Sequence, residues 1–412
     1  MYIKRKIEQT FLDLSDSFPA VMIAGARQVG KTTLLKQLMG AEREYVSLEI
    51  PGNRLMAVED PEAFLEQYQP PVIIDEFQHA PNLLPHIKAH IDEHQVCGDF
   101  WLAGSQNIAS LKNVFENLSD NMGMINLFSL SHSEITQTLF DDYETSFEQL
   151  VSKQNIVTPM TKSESFVKIL TGGMPYIYDN VPPSLQNYFD AYFQNLLIRD
   201  IKDLSQTADE LLFYKFMQVC SQVIAEQVNY AEIARRADIS ISKAKEWVDV
   251  LSTLGIIIFL PPYSHSTLKK PPKIPKMYFM DTGLLCYLRG IMDTETLARD
   301  LYSGNFFENY VVSELYKSYT NVGENPPLYY YQDVNTYKEI DLVIERDGLM
   351  CPVEINESTD PDKKSMIRNF NALDSVVNTN MRIGTGNIIC NGHDIYPLSE
   401  DEDFWAVPHW FI

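Results

Sequence analysis

The 412-residue chain has no run of about 18 apolar residues, the length a membrane-crossing helix needs, so no such helix and no membrane partner are expected. Cysteine is scarce. The five (Cys97, Cys220, Cys286, Cys351, Cys390) form no C-x-x-C pair and leave one over, which argues against a disulfide framework. Reduced thiols and a cytoplasmic location are the expectation. The opening segment, MYIKRKIEQTFLDLSD, has no apolar signal-peptide core and points the same way. Basic charge is also short. Lys and Arg number 33 against 56 Asp and Glu, a formal net charge of −23. Such a surface repels nucleic acid unless basic groups are concentrated locally. The rest is ordinary for a globular protein, 45% hydrophobic and 22% charged. The length predicts several domains rather than one core.

The strongest positive signal is FPAVMIAGARQVGKTTLLKQL, an apolar strand, a glycine-bearing loop and a helix. Gly25-Ala26-Arg27-Gln28-Val29-Gly30-Lys31-Thr32, continued by Thr33, fits G-x-x-x-x-G-K-[ST] throughout. The glycines let backbone N–H groups turn inward around phosphate, and the helix N-terminus adds partial positive charge. Lys31 reaches the β- and γ-phosphates of ATP, and the Thr32 hydroxyl ligates Mg²⁺. A carboxylate on a neighbouring strand completes such a site. PPVIIDEFQHAP supplies Asp75 for the metal and Glu76 for the attacking water. A third strand, DFWLAGSQN, ends in Ser105-Gln106-Asn107, where Gln106 is placed to sense the γ-phosphate.

These residues resemble the bacterial and archaeal AAA-type ATPases that carry a C-terminal domain of unknown function. The matching pieces are GARQVGKTTLL, YVSLEIP, EDPEAFL, VIIDEFQHAPNLLPHIK, LAGSQN, FSLSHSEI, GGMP, IRDIKDL and MYFMDTGLL. The resemblance runs on to the acidic motifs near the end and covers nearly the whole chain. It departs at Gly123-Met124, where the family usually has Gly-Arg. An arginine there reaches the γ-phosphate, often of a neighbouring subunit, and its absence predicts slow turnover. Arg199 and Arg27 are the candidate substitutes, and oligomer formation stays open. In PHIKAHIDEH, His86, His90 and His94 share a helix face, but the metalloprotease pattern fails and a plain helix is expected.

Further on, NYAEIARRADISISKAKEWVDVLSTLGIIIFLPPYS predicts a helix over Tyr230–Arg236, a tight turn, and a second helix capped by Ser240 or Ser242. Strands and a Pro-rich hairpin follow, a winged helix-turn-helix pattern. Its wing, STLKKPPKIPK, carries Lys269, Lys270, Lys273 and Lys276 with no acid between them, a local patch for DNA phosphates. The alternative is that the winged helix packs on the ATPase as an internal module and the lysines merely solubilise the hairpin. In the last third, Glu308 on a helix, Asp341 in KEIDLVIERDG and Glu354 in LMCPVEINES resemble a restriction-endonuclease-like core with a metal site. The lysine such a core needs is replaced by Asn356, so cleavage is not expected.

The sequence thus reads as an α/β chain. It comprises an AAA-type P-loop NTPase parallel sheet (1–140), a helical lid (141–205), a winged helix-turn-helix domain (206–295) and a degenerate restriction-endonuclease-like α/β domain (296–412). The expected function is Mg-ATP binding with slow hydrolysis that repositions the later domains, in association with DNA. The alternatives are an ATP-bound switch that holds a protein partner without turnover, and an ATP-regulated nuclease.

Overall fold

The computed structural model describes residues 2–105, 121–179, 184–194, 201, 209–263, 274–333, 338–370, 373, 382–398 and 403–412. Five strands form the amino-terminal sheet: β1 (Ala20–Ala24), β2 (Glu44–Ser47), β3 (Val72–Asp75), β4 (Phe100–Gly104) and β5 (Met122–Asn126). Their order is β2-β3-β4-β1-β5 and every pairing is parallel. Parallel strands are covered on both faces and so read as continuous apolar runs, as AVMIA and FWLAG do. Alternation still sorts their side chains. Val21 and Ile23 enter one buried cluster, and Ala20 and Met22 enter the other.

A helical region follows. Helices span Phe147–Lys153, Lys162–Thr171, Pro175–Asp179, Leu185–Tyr192 and Glu210–Ser221. The next pair, Tyr230–Ala237 and Ile241–Thr253, forms as its capping residues dictate. Asn229 caps the first helix, Asp238 turns in the left-handed region (φ 62°), and Ser240 accepts from Lys243 N at 3.1 Å. Then β6 (Ile257–Leu260) and β7 (Lys276–Phe279) pair as an antiparallel hairpin.

The carboxy-terminal region opens with a long helix, Ser303–Thr320. Its sheet contains β8 (Leu328–Gln332), β9 (Glu339–Arg346), β10 (Leu349–Asn356), β11 (Arg382–Ile383), β12 (Gly386–Cys390), β13 (Tyr396–Pro397) and β14 (Phe404–Pro408). The path is β13-β14-β12-β10-β9-β8, with β11 on β10, and it mixes parallel and antiparallel pairs. The chain is therefore α/β, with a parallel P-loop-like sheet, a helical region and a mixed-sheet domain.

The three regions are packed together. One buried cluster runs from Ile7 and Phe11 through Trp247 and Phe306 to Trp410 and Ile412. The Ser303–Thr320 helix lies within it. Its Asn309 side chain donates to Phe279 O and accepts from Phe279 N, both at 2.8 Å, tying it to β7.

Candidate functional site

The phosphate loop links β1 to the Lys31–Leu38 helix. A side chain at Gly25 would place its Cβ 2.1 Å from Leu127 O, so only glycine fits there. Gly30 sits at φ 102°, a left-handed conformation that L side chains rarely adopt, and starts the helix. Lys31 is buried, and its ammonium donates to Gly25 O at 2.7 Å and Ala26 O at 2.9 Å. A positive charge is thereby fixed beside the loop. The cavity over the loop, about 390 Å³, is lined by Gln28, Gly30, Lys31, Thr32, Thr33 and Glu76. Arg27 lines it too, but it is buried and pairs with Glu49 at 3.5 Å.

The end of β3 meets this loop. Thr32 Oγ1 donates to Asp75 Oδ2 at 2.6 Å, and the Tyr45 hydroxyl donates to the same oxygen at 2.8 Å. Asp75 Oδ1 accepts from Glu76 N at 3.0 Å. Burial, and then the Asp75 charge, push the Tyr45 phenol well up, so it stays a donor. Glu76 adopts φ 56° and bonds the Gln78 amide, which also donates to Ser105 Oγ at 3.1 Å. Tyr45 lies in YVSLEIP, yet nothing in its spacing signals a bond to Asp75. Gln106 and Arg199 lie outside the described residues. Met124 lies on β5 and packs against the core beside the sheet.

Arg5 had no signal in the sequence. It is buried, and its guanidinium makes three bonds of 2.9 Å: to Glu134 Oε1, to Val29 O in the phosphate loop, and to Phe128 O. Glu134 also closes a capping box with Ser131. One residue after Ser131, the His132 N–H donates to Glu314 Oε2 at 2.5 Å. Glu314 belongs to the Ser303–Thr320 helix, where Lys317 donates to Glu314 Oε1 at 2.9 Å and to Leu130 O at 3.3 Å. A continuous buried polar path thus joins the phosphate loop to the helix that opens the mixed-sheet domain.

That helix also presents Glu308 to a second acidic centre. Asp341, on β9, accepts from Ile355 N at 2.9 Å and shares a hydrogen bond with the Glu354 carboxyl of β10. Asn369 donates to Glu354 Oε1 at 3.1 Å. The three acids named from the sequence are brought together, with Glu339 beside them. As the side chains stand in this structure, with Lys276 at the centre, no three His, Cys, Asp or Glu among the described residues are disposed to hold a metal ion. A lysine meets these carboxylates instead. Lys276, expected at a DNA-facing wing, is 3% exposed at the start of β7. Its ammonium lies 2.5 Å from Glu339 Oε1 and 3.4 Å from Glu308 Oε1. It cannot contact DNA phosphates from there, because the strand that carries it is buried along its whole length. Lys269, Lys270 and Lys273 lie outside the described residues.

Charge at this centre follows from the packing. Burial alone lowers the Lys276 pKa, but Glu308, Asp341 and Glu339 outweigh it and raise it. Burial, then the Asp341 charge, push the Glu354 carboxyl up to about 10, and burial pushes Glu308 up to about 7. The proton in the Glu354–Asp341 hydrogen bond is therefore held more tightly than on an ordinary carboxyl. A raised carboxyl contributes stability that is complete below its unfolded pKa and is lost as pH rises through the folded value. Glu354→Gln keeps a donor for Asp341 and an acceptor for Asn369 without that slope. We expect it to raise stability at pH 8 by on the order of 1–3 kcal/mol and to change little at pH 4, read from denaturant midpoints.

The three histidines occupy the Leu84–His94 helix. His90 bonds Asp99 at 3.0 Å and stacks on His94, while His86 lies 4.0 Å from Glu62.

Comparison with known proteins agrees with the geometry at the first site. Residues 17–136 match the model of the AAA domain. Residues 166–295 and 303–411 match two domains of unknown function, DUF8612 and DUF4143. The chain carries an AAA-type P-loop ATPase domain followed by two domains of unknown function. It is 24% identical over 387 residues to an uncharacterized protein of Mycobacterium tuberculosis, covering 93% of this chain and 78% of the relative. An uncharacterized protein of Mycobacterium bovis matches with the same figures. Among solved structures, a Walker-type ATPase of Pyrococcus abyssi matches with TM-score 0.44 and 12% identity, over 70% of this chain and 96% of that one. The RuvB Holliday junction branch migration motor of Thermotoga maritima matches with TM-score 0.31 and 15% identity, over 63% and 90%.

Proposed function

We propose that this chain is a slow Mg-ATPase whose nucleotide state is passed to the mixed-sheet domain. The observation that carries it is the Thr32–Asp75 hydrogen bond at 2.6 Å, made at the cavity where Lys31 and Glu76 also converge. The donor set fits Mg-ATP. The loop N–H groups and Lys31 take the phosphates, and Thr32 with Asp75 would hold the metal. Magnesium, when bound, neutralises charge on the β- and γ-oxygens. Glu76 accepts the proton of a water attacking the γ-phosphorus as the bond to the bridging oxygen breaks. Lys31 offsets the charge that develops there. Met124, where an arginine would help, fits a low rate.

The buried path from Val29 through Arg5, Glu134 and Glu314 supports transmission to the Ser303–Thr320 helix. The helix pair with its hairpin supports the winged helix-turn-helix reading, and the acids on β9 and β10 support the restriction-endonuclease-like one. The four domains named from the sequence, divided at 140, 205 and 295, remain part of this reading. DNA association rests on Lys269, Lys270 and Lys273. A second reading, a nucleotide-bound switch for a protein partner, is favoured by the burial of Lys276 and the −23 charge.

Phosphate release from Mg-ATP by the full chain, with and without duplex DNA at two salt concentrations, separates these readings. We expect turnover below the roughly 1–10³ s⁻¹ usual for enzymes, raised by DNA at low salt. ATP retained without phosphate release, whatever the DNA, would instead establish the switch.

A further inference from the structure

The acidic centre of the mixed-sheet domain is met by a cation from another part of the chain. Lys276 is held from both sides by backbone. On one side β7 pairs with β6, Leu260 standing opposite Lys276. On the other, Gln227 forms a bridge with Lys276, and Ala225 N donates to Met277 O at 3.0 Å. These pairings fix the backbone at Lys276, and its buried side chain runs from there to the acids. Its acids come from two further elements: Glu308 from the Ser303–Thr320 helix and Glu339 from β9. The Tyr278 hydroxyl, also on β7, donates to Glu308 Oε1 at 2.7 Å. Pairing across the seam continues beyond the lysine. Tyr330 N donates to Pro261 O at 3.0 Å, and Gln227 Nε2 donates to Gln332 Oε1 at 2.9 Å.

We propose that Lys276 is a built-in counter-ion, delivered by the β6–β7 hairpin, that fills the acidic centre formed by Glu308, Glu339, Asp341 and Glu354 and closes it to external cations. A buried carboxylate group needs a positive partner, and a tethered ammonium supplies one without any ion from solution. The hairpin is then a latch, because it carries the cation that closes the centre. This inference does not depend on the nucleotide chemistry proposed above.

The test is Mn²⁺ binding by the full chain without nucleotide, followed by the paramagnetic resonance of free Mn²⁺. Lys276→Met, of similar shape and no charge, is expected to gain one site at least roughly tenfold tighter than any in wild type. That gain is expected to vanish when Asp341→Asn is added. An Asp341-dependent site of equal affinity in wild type would overturn the proposal. So would a folded Lys276→Met chain that gains none, or Mn²⁺-dependent DNA nicking by wild type that Lys276→Met abolishes. Should Lys276→Met not fold, acetylation of the wild-type chain decides. Lys276 is expected to label at least about 100-fold more slowly than exposed Lys215, as a buried, bonded group does. Labelling at the rate of Lys215 would overturn the latch.

Discussion

Glu76→Gln is expected to lower phosphate release by about 10²–10⁴-fold while leaving ATP binding close to wild type. The reasoning starts from position. Asp75 is committed: Oδ2 accepts from Thr32 and Tyr45, and Oδ1 from the Glu76 N–H. It organises the loop through these three bonds. Glu76 follows it in a left-handed turn, lines the cavity, and accepts a hydrogen bond from the Gln78 amide. In the proposed mechanism it is the base. Gln keeps the size and the hydrogen bond and removes only basicity, so a fall in kcat without a fall in affinity isolates that role. Equal turnover in the two proteins would remove Glu76 from the chemistry.

Arg5→Met is expected to destabilise the chain by about 3–5 kcal/mol, because it leaves a buried acid without its partner. Both side chains of the Arg5–Glu134 pair are almost fully buried, at 4% and 0% exposure. Three hydrogen bonds are lost together, and two of the acceptors, Val29 O and Phe128 O, are backbone carbonyls. Removing both charges costs less than removing one, so Arg5→Met with Glu134→Gln is expected to recover part of the loss. Urea midpoints of the two single variants and the double variant read this directly. Additive losses would mean that the two side chains do not act as a pair.

Glu76 and Arg5 differ in how far the sequence reveals them. The strand, loop and helix that carry the phosphate-loop motif, and the strand that ends at Asp75, were legible because each is read from contiguous residues. A strand, a tight turn and a helix start have local signatures that no distant contact overrides. The Tyr230–Ala237 and Ile241–Thr253 helices were legible for the same reason, since their caps lie within three residues of what they cap. Arg5 was not, because its partners are 24 to 129 residues away and a lone arginine near the start looks like any surface charge. Lys276 was misplaced for a related reason. Four lysines in STLKKPPKIPK look alike, yet Lys276 begins a strand buried at all four positions. A salt bridge across 32 residues to Glu308 decides its environment, and no local pattern encodes that. The acids at Glu308, Asp341 and Glu354 were legible as a set, but the cation beside them was not.

ATP binding at the loop should be felt in the Ser303–Thr320 helix through Val29, Arg5, Glu134 and Glu314. Hydrogen exchange of the Glu76→Gln chain with and without Mg-ATP tests it most directly. Slower exchange is expected both in the loop and in the Ser303–Thr320 helix. Arg5→Met in the same background is expected to abolish the second effect while leaving the first. Protection confined to the phosphate loop and its neighbouring strands in both chains would contradict it.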